Sequence, residues 1–196
     1  LNFDVVTCVN PQNIDELDQI RELLISLKVR SWRMFTIFPI GRAAQNKALM
    51  LDNGQFVRLM DFIAASRKTN SIDVKFSCEG YVGPYESLVR DTPFFCRAGI
   101  NIASVLADGS ISACPNIDRA FVQGNIYSDD LFHVWQTRFQ AFRDRKWTRT
   151  GACRDCKKYS RCLGNGLHYW HGDLKQVLVC HHGMIAGKKQ ARAHMK

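Results

Sequence analysis

The stretch GACRDCKKYSRCLGNG, residues 151–166, holds three cysteines and three glycines in sixteen residues. Cys153 and Cys156 are separated by two residues, a spacing that lets two sulfurs face one metal centre from a single tight turn. Cys162 follows after five intervening residues, and Cys180 after another seventeen. Gathered thiolates repel one another unless a cation or a cluster neutralises them. The spacing predicts a four-thiolate site, for which the ligand type leaves zinc and iron–sulfur both open.

A second pair of cysteines, Cys96 and Cys114, flanks a predicted hairpin. The dipeptide Asp108–Gly109 lies between the apolar segments 100–107 and 110–114, and such a dipeptide is a strong hairpin signal because glycine reaches positive φ easily. The hairpin would turn the chain back on itself, so that two cysteines distant in sequence approach one site. Taken alone, this pair is weak support for a metal site.

Upstream of the cysteines, apolar strands alternate with amphipathic helices. Strands are predicted over 3–9, 32–40 and 72–77, and helices over 14–27 and 55–67. This order predicts βαβ units and a parallel sheet. A parallel sheet needs neighbours on both sides, so further strands are expected before residue 1. Downstream of the hairpin, a helix is predicted over 129–142, while Cys8 is expected to be a small buried residue of the first strand.

The composition sets limits on the class of protein. The chain has 196 residues, of which 46% are hydrophobic, so it has room for one large domain or two small ones. No window approaches the roughly 18 uninterrupted apolar residues of a membrane-spanning helix, and a soluble, cytoplasmic protein is expected. Eight cysteines in a chain of this length fit a disulfide framework poorly, because such a chain can build a hydrophobic core without disulfide bonds.

The chain is basic, with a formal net charge of +9. Basic residues concentrate in two groups: Arg138, Arg143, Arg145, Lys146, Arg149 and Arg154, and the tail from Lys188 to Lys196. Such an excess can attract an acidic peptide or offset negatively charged thiolate-ligated clusters. No aromatic-and-basic recognition motif accompanies the charge, which argues against a nucleic-acid partner.

Together the cysteine elements resemble the SPASM domain of radical S-adenosylmethionine (AdoMet) enzymes. That domain has a C…G-x4-C pair, then C-x2-C-x5-C-x3-C, then a final cysteine; Gly124–Asn125 and Trp135 also sit where the family has a Gly-Asn step and a Trp-bearing helix. The segment 39–43, Pro-Ile-Gly-Arg-Ala, matches a turn common after the fifth strand of the family's barrel. The resemblance implies an α/β chain. Its expected parts are the last strands and helices of a partial (β/α) barrel over 1–90, a cysteine-rich cluster-binding domain with a β-hairpin and a helix over 91–186, and a basic tail over 187–196.

The resemblance also implies two auxiliary [4Fe–4S] sites. The second site would take Cys153, Cys156, Cys162 and Cys180, and the first would take Cys96 and Cys114. Residue 166, where the family has a further cysteine for the first site, is Gly166. Cys78 and His168 are the candidates to complete that site, which is otherwise either an open-coordinate cluster able to bind substrate or a degenerate one.

The family's catalytic cluster needs a C-x3-C-x2-C triplet, and none occurs in this sequence. The chain alone is therefore predicted to be inactive. The resemblance implies a parent oxidoreductase that generates a 5′-deoxyadenosyl radical from AdoMet and modifies a peptide or small protein, with a reductant protein as electron source. It is closest to peptide-modifying members, including those paired with small lipoprotein precursors.

Two residues at predicted strand ends are candidates for AdoMet contacts. Asn10 follows the first strand and Arg42 follows the second, where barrel enzymes place ligand groups, although each also suits a simple turn or surface role. The loop that carries Glu79 is expected to be a solvated linker. The alternative to the whole interpretation is a non-catalytic zinc-binding interaction module with a basic surface.

Overall fold

The computed structural model describes residues 3–171 and 176–187, so the basic tail from 188 onward lies outside the described residues. Two compact units divide the chain: one runs to Phe94 and includes the residues from Cys180, and the other is Phe95–Val179. The sequence predicts a boundary near residue 90 and places Cys180 with the cluster-binding domain. In the structure Cys180 groups with the first unit instead, and the domain limits stay a prediction.

The first unit is built on a parallel sheet with strands in the order β1-β2-β3. Its elements are β1 (Val5–Val9), α1 (Leu17–Ser26), β2 (Ser31–Thr36), α2 (Asn53–Lys68), β3 (Asp73–Phe76), α3 (Glu86–Val89) and, after the second unit, α7 (His181–Ile185). Short 3₁₀ turns occur at Ile14–Glu16, Gly41–Gln45, Lys47–Leu49 and Gly83–Tyr85. The predicted parallel pairing is confirmed. A helix follows each of the first two strands and returns the chain to the end of the sheet at which the next strand starts.

The core of the first unit lies between the sheet and α2. Trp32, Met34 and Val74 of the strands are fully buried, as are four apolar side chains of α2: Phe56, Leu59, Met60 and Ile63. The helix begins with a reciprocal capping box in which Asp52 accepts from the Gln55 backbone N–H and Gln55 accepts from that of Asp52. Such a cap satisfies two of the four N–H groups that a helix start leaves without partners.

Two predictions for this unit are wrong in detail. Strand β2 ends at Thr36 rather than residue 40, because Pro39 has no N–H for a ladder and Gly41 turns the chain at a φ of +59°. Cys8 is exposed rather than buried. Among the described strands β1 is an edge strand, paired only with β2, and side chains on one of its faces stay accessible.

The second unit holds a small antiparallel sheet in the order β4-β5-β6. Its elements are β4 (Ser104–Val105), β5 (Ser110–Ser112), β6 (Gly124–Asn125), α4 (Leu131–Thr137), α5 (Gln140–Arg143) and α6 (Tyr159–Cys162). Short 3₁₀ turns occur at Arg119–Phe121, Lys146–Thr148, Gly151–Cys153 and Leu167–Tyr169. Gly109 turns the hairpin at a φ of +79°, and its N–H donates to the Leu106 carbonyl.

The helix predicted over 129–142 is interrupted between Thr137 and Gln140. The guanidinium of Arg143 donates to the carbonyl oxygens of Trp135 and Gln136, at 2.6 and 3.5 Å. A cationic side chain can donate to the last carbonyls of a helix, which then do not need the backbone N–H groups of a further helical turn. The contact with Arg143 therefore favours the end of α4 at this point. The break lets Phe139 and Phe142 both be fully buried. No helix in the described ranges is long and apolar enough to cross a bilayer.

Candidate metal centre

Cys153 and Cys156 lie on one tight turn. Cys153 ends the 3₁₀ turn that begins at Gly151, and the Cys156 N–H donates to the Cys153 carbonyl at 3.4 Å. Cys153 is buried and Cys156 is half-buried. The C-x2-C segment therefore has the compact backbone that the spacing predicts, with little regular structure around it.

Cys162 ends α6 and is followed by three consecutive residues in left-handed conformations. Leu163, Gly164 and Asn165 have φ values of +49°, +83° and +76°. Left-handed backbone is uncommon for leucine and costs on the order of 1–3 kcal/mol, so the surrounding structure must hold it. We call residues 163–165 the left-handed loop. It reverses the chain directly after the third cysteine of the motif.

Buried hydrogen bonds hold the left-handed loop in place. The indole Nε1 of Trp170 donates to the Gly164 carbonyl at 2.6 Å, and Asn165 Nδ2 donates to the Val179 carbonyl at 2.8 Å. Gly164 packs directly on Thr148, whose Cβ lies 2.6 Å from where a Cβ on residue 164 would stand. Gly166, in contrast, has φ −64° and ψ 137°, which any residue can adopt. The backbone at 166 therefore does not require glycine in place of the family's cysteine.

Replacing Gly164 with alanine is expected to destabilise the protein by about 2–4 kcal/mol. The alanine would be strained at the left-handed φ of this position, and its Cβ would also collide with Thr148. Gly41→Ala is the matched control: its φ is +59° but nothing lies within 4 Å of the added Cβ. The control should cost only about 1 kcal/mol. Chemical denaturation measures both free energies of unfolding. Equal losses in the two variants would show that the loop is not packed as described.

Arg145 connects the two cysteine-bearing parts of the second unit. Its guanidinium donates to the Cys96 carbonyl at 2.7 Å, while its own carbonyl accepts from the hydroxyls of Thr148 and Tyr159, both at 2.7 Å. Thr148 packs on the left-handed loop. The sequence marks Arg145 only as one of several clustered basic residues, and nothing in the pattern distinguishes it from exposed neighbours such as Lys146.

The first predicted site is less complete than the second. Cys96 and Cys114 are both half-buried and belong to the second unit, whereas Cys78 belongs to the first unit and is exposed. His168 is half-buried, with its ring centroid 4.3 Å from that of Tyr169. Recruitment of Cys78 or His168 to complete this site stays a prediction.

Cys180 is the N-cap of α7, and its Sγ accepts a hydrogen bond from the Gly183 N–H at 3.3 Å. The next residue, His181, is 1% exposed, and its Nε2 lies 3.4 Å from Oε2 of Glu79, which is 2% exposed. Glu79 also accepts from the backbone N–H and the hydroxyl of Thr36 at the end of β2. The prediction of a solvated linker at Glu79 is therefore wrong, because this carboxylate is a buried acceptor that joins β2 to α7.

A second buried charge accompanies Glu79 in the first unit. Arg90 donates to the Gly80 carbonyl at 3.1 Å and stacks on Phe76 and Phe94. Burial lowers the pKa of the Arg90 guanidinium, and the carboxylates of Glu86 and Glu79 act in the opposite direction. Neither Glu79 nor Arg90 carries a sequence signal of burial, since both lie in a segment of mixed polarity.

Of the candidate AdoMet residues, Asn10 directly follows β1, whereas Arg42 lies six residues beyond the end of β2 because that strand is shorter than predicted. Asn10 makes local hydrogen bonds: its Oδ1 accepts from the Gln12 N–H at 2.9 Å, and its Nδ2 donates to the Cys8 carbonyl at 3.2 Å. Arg42 lies exposed in the 3₁₀ turn after Gly41. Their assignment to a cofactor stays a prediction.

Within residues 3–171 and 176–187, no three His, Cys, Asp or Glu side chains form a group that could hold a metal ion. The ligand sets therefore rest on spacing and on family likeness. The donor chemistry nevertheless fits thiolate-ligated clusters. The predicted ligands are thiols, in the first unit the Cys180 sulfur already accepts an N–H, and in the second unit the buried guanidinium of Arg145 donates to the Cys96 carbonyl.

Comparison with known families supports one interpretation of the cysteine pattern. The family model for SPASM, an iron–sulfur cluster-binding domain, matches residues 96–157. This part of the chain is similar to a SPASM domain. The match includes Cys96, Cys114, Cys153 and Cys156 of the predicted ligands. Cys162 and Cys180 lie beyond the matched part of the SPASM domain and rest on their spacing.

Similar proteins support the same family. Two curated relatives are AdoMet-dependent heme synthases, from Oleidesulfovibrio alaskensis (23% identical) and Nitratidesulfovibrio vulgaris (21% identical). Each alignment covers 84% of this chain, and 46% or 48% of the relative. The chain thus spans about half the length of the curated relatives it matches. Together with the SPASM match, these relatives support the resemblance to radical AdoMet enzymes.

Solved structures show the fold. Native anSMEcpe with bound AdoMet and Kp18Cys peptide has a TM-score of 0.59 at 12% identity. The same protein with Cp18Cys peptide has a TM-score of 0.61 at 14% identity. Both alignments cover 95% of this chain and 53% of the other. The chain therefore shares a mixed α/β fold with part of these structures.

Proposed function

We propose that this chain is the auxiliary-cluster part of a radical AdoMet oxidoreductase that modifies a peptide or small protein. The SPASM match over residues 96–157 carries the proposal, since it covers the Cys96 and Cys114 pair and the first two cysteines, Cys153 and Cys156, of the other element. Cys153, Cys156, Cys162 and Cys180 would hold one [4Fe–4S] cluster. Cys96 and Cys114 would hold the other, with one coordination position open or filled by Cys78 or His168.

The chain's own residues would orient the ligands and shield them from water. The left-handed loop directs the chain away from Cys162 immediately after the ligand, and the Gly183 N–H stabilises negative charge on the Cys180 sulfur. When bound, auxiliary clusters supply one-electron transfer or an open iron for substrate. Burial and hydrogen bonding by the protein set how readily each centre accepts an electron.

The first unit would contribute strands of a partial (β/α) barrel. Its parallel strands end at residues 9, 36 and 76, and Asn10 follows the first of these ends directly. Ligand groups in barrel enzymes come from the carboxyl ends of strands. We propose that Asn10 and Arg42 face AdoMet in the complete enzyme. The likeness of the fold to anSMEcpe supports this placement.

Two substrate classes are supported by different observations. The anSMEcpe structures contain peptides, and a net charge of +9 would attract an acidic segment such as that of a small precursor protein or lipoprotein. A reductant protein would supply electrons in the cytoplasm. The heme synthase relatives favour a tetrapyrrole as the second candidate substrate.

A binding titration separates the two classes. The anaerobically reconstituted chain is titrated with a short acidic peptide, with a basic peptide of equal length as the control, and with a carboxylate-bearing porphyrin. We expect saturable binding of the acidic peptide that weakens as salt is raised, because charge attraction is screened by ions. Saturable porphyrin binding with no response to either peptide would contradict the peptide assignment and favour the tetrapyrrole.

A further inference from the structure

Arg145 is a buried cation whose guanidinium donates to backbone carbonyls. It is 5% exposed, and its guanidinium donates to the carbonyl oxygens of Phe142, Cys96 and Ala98, at 2.9, 2.7 and 3.4 Å. These bonds hold the side chain in one orientation. They supply dipoles but no negative charge.

Five carboxylates of the second unit have partners other than Arg145. Asp108 pairs with Arg119, Asp129 with Arg138 and Asp144 with Lys146, and Asp118 lies 2.9 Å from His171 Nε2. Asp130 caps α4 through the His133 N–H. In the part of this unit that the structure describes, Arg145 takes part in no ion pair. A buried charge without a counter-charge costs several kcal/mol, so this position calls for an anion.

The location of Arg145 indicates which anion would supply the missing charge. Its Nη2 donates to the backbone carbonyl of Cys96 itself, so the positive charge lies next to the residue that carries this thiol. A cluster held by thiolates carries net negative charge, and second-shell groups beside its ligands tune it. We propose that Arg145 is the counter-charge and positioning residue of the first auxiliary cluster, the one assigned to Cys96 and Cys114. This inference rests on the proposed function.

The backbone of Arg145 makes hydrogen bonds that support the segment after Cys162. Its carbonyl accepts from the Thr148 and Tyr159 hydroxyls, and the Thr148 hydroxyl also lies 3.4 Å from the Leu163 carbonyl of the left-handed loop. One residue thus holds Cys96 with its side chain and supports the loop after Cys162 with its backbone. Substitution of the side chain removes the first of these contacts and leaves the second available.

A positive charge beside a cluster favours its reduced state, because reduction adds one electron and makes the cluster more negative. Neutralising Arg145 should therefore lower the reduction potential of one cluster. We expect the equilibrium constant for its one-electron reduction to fall at least tenfold, which corresponds to about 59 mV. The other cluster, lacking this contact, should keep its potential and serve as an internal reference.

The experiment is a redox titration of the reconstituted chain, with dithionite as electron donor, followed by electron paramagnetic resonance. Arg145→Met removes the charge, Arg145→Gln removes it but keeps an amide donor for the Cys96 carbonyl, and Arg145→Lys keeps the charge. The matched control is Arg143→Met. Arg143 also donates to carbonyls, those of Gly99 and Trp135, but does not contact Cys96.

We expect both neutral variants to show the lowered potential, while Arg145→Lys and Arg143→Met stay close to wild type. Wild-type potentials in the neutral variants, or an equal shift in Arg143→Met, would overturn the proposal. Failure of both neutral variants to yield folded protein after reconstitution would assign Arg145 to the fold and also overturn it. A wild-type chain that takes up no iron would instead refute the proposed function, and this is seen before any variant is made.

Discussion

Replacing Cys156 with serine is expected to remove about four iron atoms per chain and to unfold much of the second unit. Serine keeps the size of the side chain but not the thiolate, and Cys156 shares its tight turn with Cys153. In small cysteine-rich units metal binding supplies folding free energy, on the order of 10–16 kcal/mol for zinc-finger peptides. The affected segment, from residue 150 onward, has short helices and turns that would not fold alone.

Iron and acid-labile sulfide content, together with thermal unfolding, measure this effect. The matched control is Cys8→Ser, since Cys8 is exposed on β1 of the first unit and belongs to neither predicted ligand set. The control should keep its iron and its melting temperature. Full metal content with an unchanged melting transition in Cys156→Ser would show that this cysteine is not a ligand.

The second large effect is an absence of catalysis. The reconstituted chain, with reductant present, is expected not to cleave AdoMet. Cleavage requires an iron–sulfur cluster with one iron left open to chelate the amino and carboxylate groups of AdoMet, and the family builds it on a C-x3-C-x2-C triplet. Cys78, Cys96 and Cys114 are too widely spaced in this chain to replace it.

Release of 5′-deoxyadenosine, followed by chromatography, tests this expectation. A radical AdoMet enzyme that carries the triplet, assayed with the same reductant, serves as the positive control. We expect the chain to give no product above the protein-free blank. Formation of 5′-deoxyadenosine at a rate proportional to the chain's concentration would show that another cluster here binds AdoMet productively.

Local signals predict the framework of this chain well. The parallel strands were predictable because apolar side chains recur on the face that enters the core, as Ile72, Val74 and Phe76 do along the third strand segment. The hairpin was predictable because a Gly at position 109 adopts a φ of +79° that few other residues tolerate. Both features depend on interactions within a few residues along the chain.

Features that depend on distant contacts were not predictable. Glu79 is buried because Thr36 and His181, which are far away in sequence, lie against its carboxylate. The local sequence around a single polar residue in a loop does not indicate such distant partners. The break after α4 follows from the contact of Arg143 with Trp135 and Gln136. Arg145 was visible only as part of a basic cluster, because its burial results from the folding of the Cys96 segment around it.

The ligand chemistry of the SPASM cysteines is the central claim, and anaerobic reconstitution with iron and sulfide tests it most directly. The purified chain is stripped of metal, divided, and offered either iron with sulfide or zinc. We expect about four iron and four acid-labile sulfide for each site filled, with the absorption of an iron–sulfur protein. Stoichiometric zinc bound in the folded chain, with no uptake of iron and sulfide, would contradict the account and favour a zinc-binding interaction module.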